Sequence, residues 1–160
     1  MLGRSFFVVL FLALTTAACG TDRPGSGEGS GLITDIEIVG EPEETDEGRI
    51  EDRRLTGFFD DGPLEGEFVQ EVRGLVTPDD DVTFEGTAVF DGTLEGCGHG
   101  TLTLSVVGEG QAGQGPGLPA TSVEVEVIDP EGNTLPATGN ATLHQNALDL
   151  TYEIEYECHG

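Results

Sequence analysis

The chain has 160 residues, of which 31 are Asp or Glu and only six are basic, giving a formal charge of −25. That balance excludes a nucleic-acid-binding surface and an electrostatic hold on anionic headgroups, because both partners are themselves polyanions. The length suits one small domain behind an N-terminal leader.

Arg4 is the only charged side chain before Cys19. An apolar run, Phe6 to Leu14, follows it, and small residues then lead to Thr16-Ala17-Ala18-Cys19. This is the pattern of a secretory signal peptide. The run is too short to span a bilayer as a helix, which takes roughly 20 apolar residues. Cysteine at the cleavage position makes the site a lipobox, with Thr16 where Leu is commonest. Cleavage before Cys19 would leave it as the first residue, carrying acyl chains. Each buried CH₂ contributes about 0.8 kcal/mol, so two or more chains anchor stably where one does not. The alternative is ordinary secretion with Cys19 a plain thiol, and an extra unpaired thiol on a secreted protein is unusual. By resemblance to bacterial lipoproteins, Gly20 rather than Asp after the cysteine implies the outer membrane where the host has one. The expected organisation is a signal peptide over 1–18, a lipidated Cys19 with a tether over 19–31, and a folded domain over 32–160.

Gly20 to Gly31 reads as a flexible Gly/Ser tether with an r.m.s. span of about 20 Å. Glu41 to Glu51 is dense in acids and reads as a loop. The acidic groups at Pro78–Asp81 and Asp129–Asn133 read as turns. Neither carries the Gly and Glu that an EF-hand loop needs at its sixth and twelfth positions. The acidity as a whole reads as a solvated surface, with a weak cation-binding surface as the sharper alternative.

From residue 32 the hydrophobic period is two. Val123, Val125 and Val127 alternate with Glu124 and Glu126. Leu148, Leu150, Tyr152, Ile154 and Tyr156 alternate with polar residues, mostly acids. Leu102, Leu104 and Val106 share a face, as do Val82, Phe84, Ala88 and Phe90. Leu32–Val39, Leu55–Phe59, Glu67–Arg73 and Asn140–His144 supply four more segments. About eight strands at close spacing predict an all-β antiparallel domain, a closed barrel or a sandwich. Asp61-Gly62, Asp91-Gly92 and Glu131-Gly132 are expected turn positions.

Three stretches favour the barrel: Asp61–Glu67; Phe90–Leu102 with its Phe-Asp-Gly-Thr-Leu-Glu-Gly hairpin and Gly-led strand; and Gly139–Leu143 with the Tyr-rich Leu150–Tyr156. In this order they resemble a bacterial family of uncharacterised proteins with an allene-oxide-cyclase-like barrel. The resemblance implies a small closed eight-stranded barrel and no cyclase activity, since no cyclase motif can be carried over. The interior of such a barrel is either filled by side chains or holds one small ligand. The expected inward residues are Phe68, Phe84, Phe90, Leu104, Val106, Val125, Tyr152 and Ile154.

With Cys19 lipidated, Cys97 and Cys158 remain, and two thiols in an oxidising compartment are expected to pair. The sharper alternative is a metal held by Cys97, His99, Cys158 and His159, though C-x-H and C-H are tighter than standard zinc spacings. Cofactors are not expected. Neither G-x-S-x-G nor H-E-x-x-H nor a Walker motif occurs, and His144 reads as a surface residue. The expected function is a lipid-anchored, non-enzymatic barrel that binds a small apolar ligand or an envelope partner. A structural lipoprotein with a filled core and a cyclase- or isomerase-like enzyme are the alternatives.

Overall fold

A computed structural model describes residues 22–112, 120–129 and 131–160. The expected signal peptide, Cys19 and Gly20 lie outside the described residues. Eight strands follow in order: β1 (Arg23–Thr45), β2 (Gly48–Asp61), β3 (Leu64–Val76), β4 (Asp81–Leu94), β5 (Gly98–Gln111), β6 (Ala120–Ile128), β7 (Ala137–Asn146) and β8 (Asp149–Cys158). Each pairs antiparallel with the next, and β8 returns to β1, so the ring is closed. Every one of the eight predicted strands is present, most of them longer than the hydrophobic alternation alone marks; the last begins at Asp149, and Leu148, expected on its apolar face, is exposed in the turn before it.

The period of two sorts each strand into an inward and an outward row. Inward, Leu64, Phe68 and Val72 of β3 meet Ala88, Phe90 and Leu94 of β4 in a buried cluster. Phe59 stands among them with its ring centroid 5.1 Å from Phe68 and 5.1 Å from Tyr152. Outward, Glu65, Glu67, Glu85, Asp91, Glu153 and Glu155 are exposed. A barrel that spans a membrane carries an apolar band on that face; this one carries carboxylates.

The long β1 serves two neighbours. Arg23–Leu32 pairs with β8, and Ser30–Thr45 pairs with β2. The expectation of a tether over 20–31 is therefore corrected from Arg23 onward. Its glycines alternate with polar residues, and the alternation has a packing reason. A Cβ at Gly25 would collide with the Tyr156 ring, one at Gly29 with the Asp61 carbonyl and the Tyr152 hydroxyl, and one at Gly31 with the Phe58 carbonyl and the Phe59 ring. The glycine row makes room for the aromatic rings beneath it, while Ser26 and Glu28 face solvent.

Two further expectations change. Glu41–Glu51 is not a loop: it contains the end of β1, a two-residue turn at Asp46-Glu47, and the start of β2. Ladder hydrogen bonding to β2 and ion pairing hold its acids in strand form. Asp91-Gly92 is not a turn but lies inside β4, opposite Gly66 and Gly100. Gly92 is there because the Glu65 carbonyl and the Gly66 Cα approach too closely for a Cβ. The turn comes later, at Glu95–Cys97. Gly62, with φ +89°, sits in the expected Asp61-Gly62 turn.

Up-and-down order puts alternate connections at opposite ends. The start of β1, the β2–β3, β4–β5 and β6–β7 connections and the C-terminus form one end, here the cysteine rim. The β1–β2, β3–β4, β5–β6 and β7–β8 connections form the other, the arginine rim.

Candidate functional site

The barrel interior is the first place to look for a site. It encloses an apolar cavity of about 70 Å³. Phe68, Phe90, Leu104, Val106, Val125 and Ile154 line it as expected. The other two expected inward residues also point inward but do not line it. Tyr152 is buried in the core cluster, and Phe84 packs against that cluster nearer the arginine rim. Ligand pockets run from about 300 Å³ upward, so this cavity is a packing gap by comparison.

Toward the arginine rim the interior turns polar. Arg49, Glu51 and Arg53 alternate along β2 in the same phase as Leu55 and Phe59, and so face inward. The Glu51 side chain is 2% exposed. Its Oε1 meets Arg49 Nε at 2.5 Å, and its Oε2 accepts from Arg53 Nε at 2.8 Å. Both carboxylate oxygens are thus occupied by guanidinium groups, whose outer ends reach toward water. A second cavity of about 40 Å³ lies beside them, walled in part by Gln70, Thr121 and Gln145. Thr121 and Gln145 are buried and bonded to each other, and Gln145 Nε2 donates to the Ala147 carbonyl at 3.0 Å. No buried side-chain polar atom among the described residues lacks a partner. Sequence reasoning missed this layer because Glu51 fell in the acidic stretch assigned to a loop. Counting by twos backward from Phe59 finds all three residues.

The cysteine rim is closed. Cys97 in the β4–β5 turn and Cys158 at the end of β8 are joined, with Cα atoms 5.0 Å apart. The Tyr152 hydroxyl donates to the Asp61 carbonyl and accepts from Leu64 N–H, both at 2.9 Å. The Tyr156 hydroxyl donates to the Glu95 carbonyl at 2.9 Å. Both phenols have pKa values raised above the usual tyrosine value. Burial is the main cause for each; the Asp61 charge adds to it at Tyr152, against the lowering by the Leu64 N–H, and the Glu95 charge adds to it at Tyr156. Leu135, in the β6–β7 connection, is buried over the same end, and its N–H donates to the Thr101 carbonyl.

The metal alternative at Cys97, His99, Cys158 and His159 is corrected by this geometry. The two sulfurs are bonded to each other and offer no thiolate pair. The His159 ring bonds Thr138 Oγ1 at 3.0 Å and Asp22 Oδ1 at 3.1 Å, and His99 is exposed at the start of β5. No cluster of metal-ligating side chains occurs among the described residues. His144 lies exposed on the outer face of β7, as expected.

No family model matches the chain, and no curated protein sequence matches it. Among solved structures it is similar to a conserved protein of unknown function from Rhodopseudomonas palustris, at 12% identity and TM-score 0.49, covering 86% of this chain and 98% of that one. It is similar also to a protein of unknown function from Clostridium acetobutylicum, at 8% identity and TM-score 0.49, covering 86% of this chain and 99% of that one.

Proposed function

We propose that this chain is a lipid-anchored extracytoplasmic β-barrel that works through its outer surface, its interior being occupied by its own side chains. The observation that carries the surface reading is the cavity of about 70 Å³ in the barrel core, against the several hundred that a small-molecule site needs. The interior carboxylate, Glu51, has both oxygens held by arginines. The likeness to the allene-oxide-cyclase-like barrel family belongs to this reading as a likeness of form, without the chemistry.

The lipobox supports the anchor, and the Cys97–Cys158 pair fits an oxidising compartment. Because β1 begins at Arg23, the tether is short. Four residue steps separate Cys19 from Arg23, a reach of at most about 14 Å. The acylated cysteine would therefore hold the cysteine rim toward the bilayer and the arginine rim away from it.

Intact mass spectrometry of the protein from its own host tests the anchor. The expected mass lacks residues 1–18 and gains acyl chains on Cys19; an unmodified or differently cleaved N-terminus overturns it. Native mass spectrometry of the same sample tests the filled interior. A small apolar molecule retained at one per barrel overturns that part.

A further inference from the structure

We propose that Thr34–Val39 of β1 is a docking edge for an extended basic segment of another protein, which adds to the sheet as a further strand. The segment's composition follows from the edge: Lys or Arg alternating with apolar residues.

The edge is open on the side that faces β8. Pairing with β8 stops at Leu32, and the Ile33 N–H donates to the Leu148 carbonyl at 2.8 Å. Beyond that bond, no strand among the described residues pairs with this side of β1. On the other side the ladder to β2 is unbroken from Asp35 opposite Thr56 to Val39 opposite Asp52. Every residue from Glu37 to Thr45 is exposed. Ile38 and Val39 are 48% and 50% exposed, and Leu148, at the mouth of the edge, is 46% exposed.

Exposed edges are ordinarily blunted by proline, bulges or short length. Here one register shift falls at the start, between Ile33 and Asp35, and the next comes after Val39, before Glu43, where Pro42 also removes a donor. Asp35–Val39 thus offers about 17 Å of straight backbone, the length of an average strand. The other unpaired edge of β1, along Arg23–Gly29, is less available: Pro24 interrupts it, and Gly62 and Pro63 of the β2–β3 turn pack against Glu28, Gly29 and Gly27.

Charge selects the occupant. Asp35 and Glu37 point outward along the edge, and Ile36 and Ile38 point to the other face. Beyond the break, Glu43 is paired with Arg73 at 3.3 Å, so Asp35 and Glu37 are the acids that select. An added strand places its side chains directly opposite these residues. Lys or Arg meets Asp35 and Glu37, and apolar residues meet Ile36 and Ile38. A second copy of this chain would instead set acid against acid. Strand addition of this kind draws affinity from the main chain and specificity from alternate side chains.

This deepens the reading of a barrel that works through its outer surface and rests on it. It is separable from the anchor: an unacylated Cys19 would sink the anchor and leave the edge intact. The test uses the intact protein and three labelled nine-residue peptides. One alternates Lys and Val, one has the same composition in two blocks, and one alternates Glu and Val. Fluorescence anisotropy at low salt is expected to rank the alternating Lys peptide at least tenfold above the block peptide, with no binding of the Glu peptide. Hydrogen exchange is expected to slow at Thr34–Val39. Asp35→Asn with Glu37→Gln, both exposed, is expected to weaken binding severalfold and reduce its salt dependence. Equal affinity for the two Lys peptides, protection elsewhere on the barrel, or a self-dimer protecting the same amides would overturn the proposal.

Discussion

At the cysteine rim, a disulfide, two tyrosine hydroxyls and Leu135 tie β8 to the β2–β3 and β4–β5 turns and fold the β6–β7 connection over the end. At the arginine rim, β1 and β2 run on as a hairpin, and the interior holds Glu51, Arg53, Gln70, Thr121 and Gln145, with Arg49 capping Glu51 from the solvent side. One end is cross-linked and apolar; the other is held by charge and amide bonding with water at hand. A barrel end that must be sealed uses covalent and buried hydrogen-bonded ties, because an unmet polar group there has no water to turn to. An end that stays wet can use ion pairs, whose charged ends remain solvated.

The largest expected effect is at the cysteine rim. Replacing Cys97 and Cys158 by Ser opens a loop with a sequence separation of 61 and should cost about 4 kcal/mol in loop-closure entropy. Urea unfolding with and without reductant measures it. A loss below about 1 kcal/mol would mean that the tyrosine ties and Leu135 hold this rim without the bond.

The next effect belongs to the arginine rim and is asymmetric. Arg49→Ala with Arg53→Ala strands a buried carboxylate and should cost about 3 kcal/mol. Adding Glu51→Leu should then recover most of that loss, because an apolar residue of similar volume needs no partner. If the triple variant is no more stable than the double, the layer is held by packing rather than by charge.

Gly29→Ala should cost about 2 kcal/mol, since its Cβ meets the Asp61 carbonyl and the Tyr152 hydroxyl. Ser26→Ala, exposed on the same strand, should stay within about 0.5 kcal/mol. Equal, negligible effects would return Arg23–Gly31 to a tether and detach β1 from the cysteine rim.

The smallest effect is Tyr152→Phe, at about 1.5 kcal/mol, from leaving the buried Leu64 N–H without its acceptor. The same residue gives a pH signature. Its folded pKa lies above the unfolded value of about 10. The unfolded state therefore loses its proton first, and stability is flat below that pH and falls above it. Tyr152→Phe should flatten part of the alkaline decline; an unchanged slope would place the decline elsewhere, with Tyr156 the next residue to replace.

Much of this architecture was legible in the residues. Val123–Val127 and Leu148–Tyr156 announce strands because one face meets a core and the other meets water, and side chains alternate at that period. The inward phase of Phe68, Phe90, Leu104 and Ile154 follows from the same rule. The glycine row of β1 was not legible as a strand. Composition alone likens it to a flexible linker, and only the rings of Phe59, Tyr152 and Tyr156 give its missing side chains a purpose. Glu51 was hidden for a related reason: an acid in an acidic stretch looks solvated until its place inside the ring is known.

Alternation and turn residues were enough to specify an antiparallel all-β domain and the inward phase of apolar residues such as Phe68, Phe90, Leu104 and Ile154, and they left Cys97 and Cys158 as a candidate pair. These are properties of local periodicity and of counting. Where β1 begins, which neighbour each of its halves serves, how little space the interior leaves and which edge stays open came from the folded ring. Those depend on how far each strand is offset from the next around a closed ring, and that offset is set by contacts between residues distant in the chain.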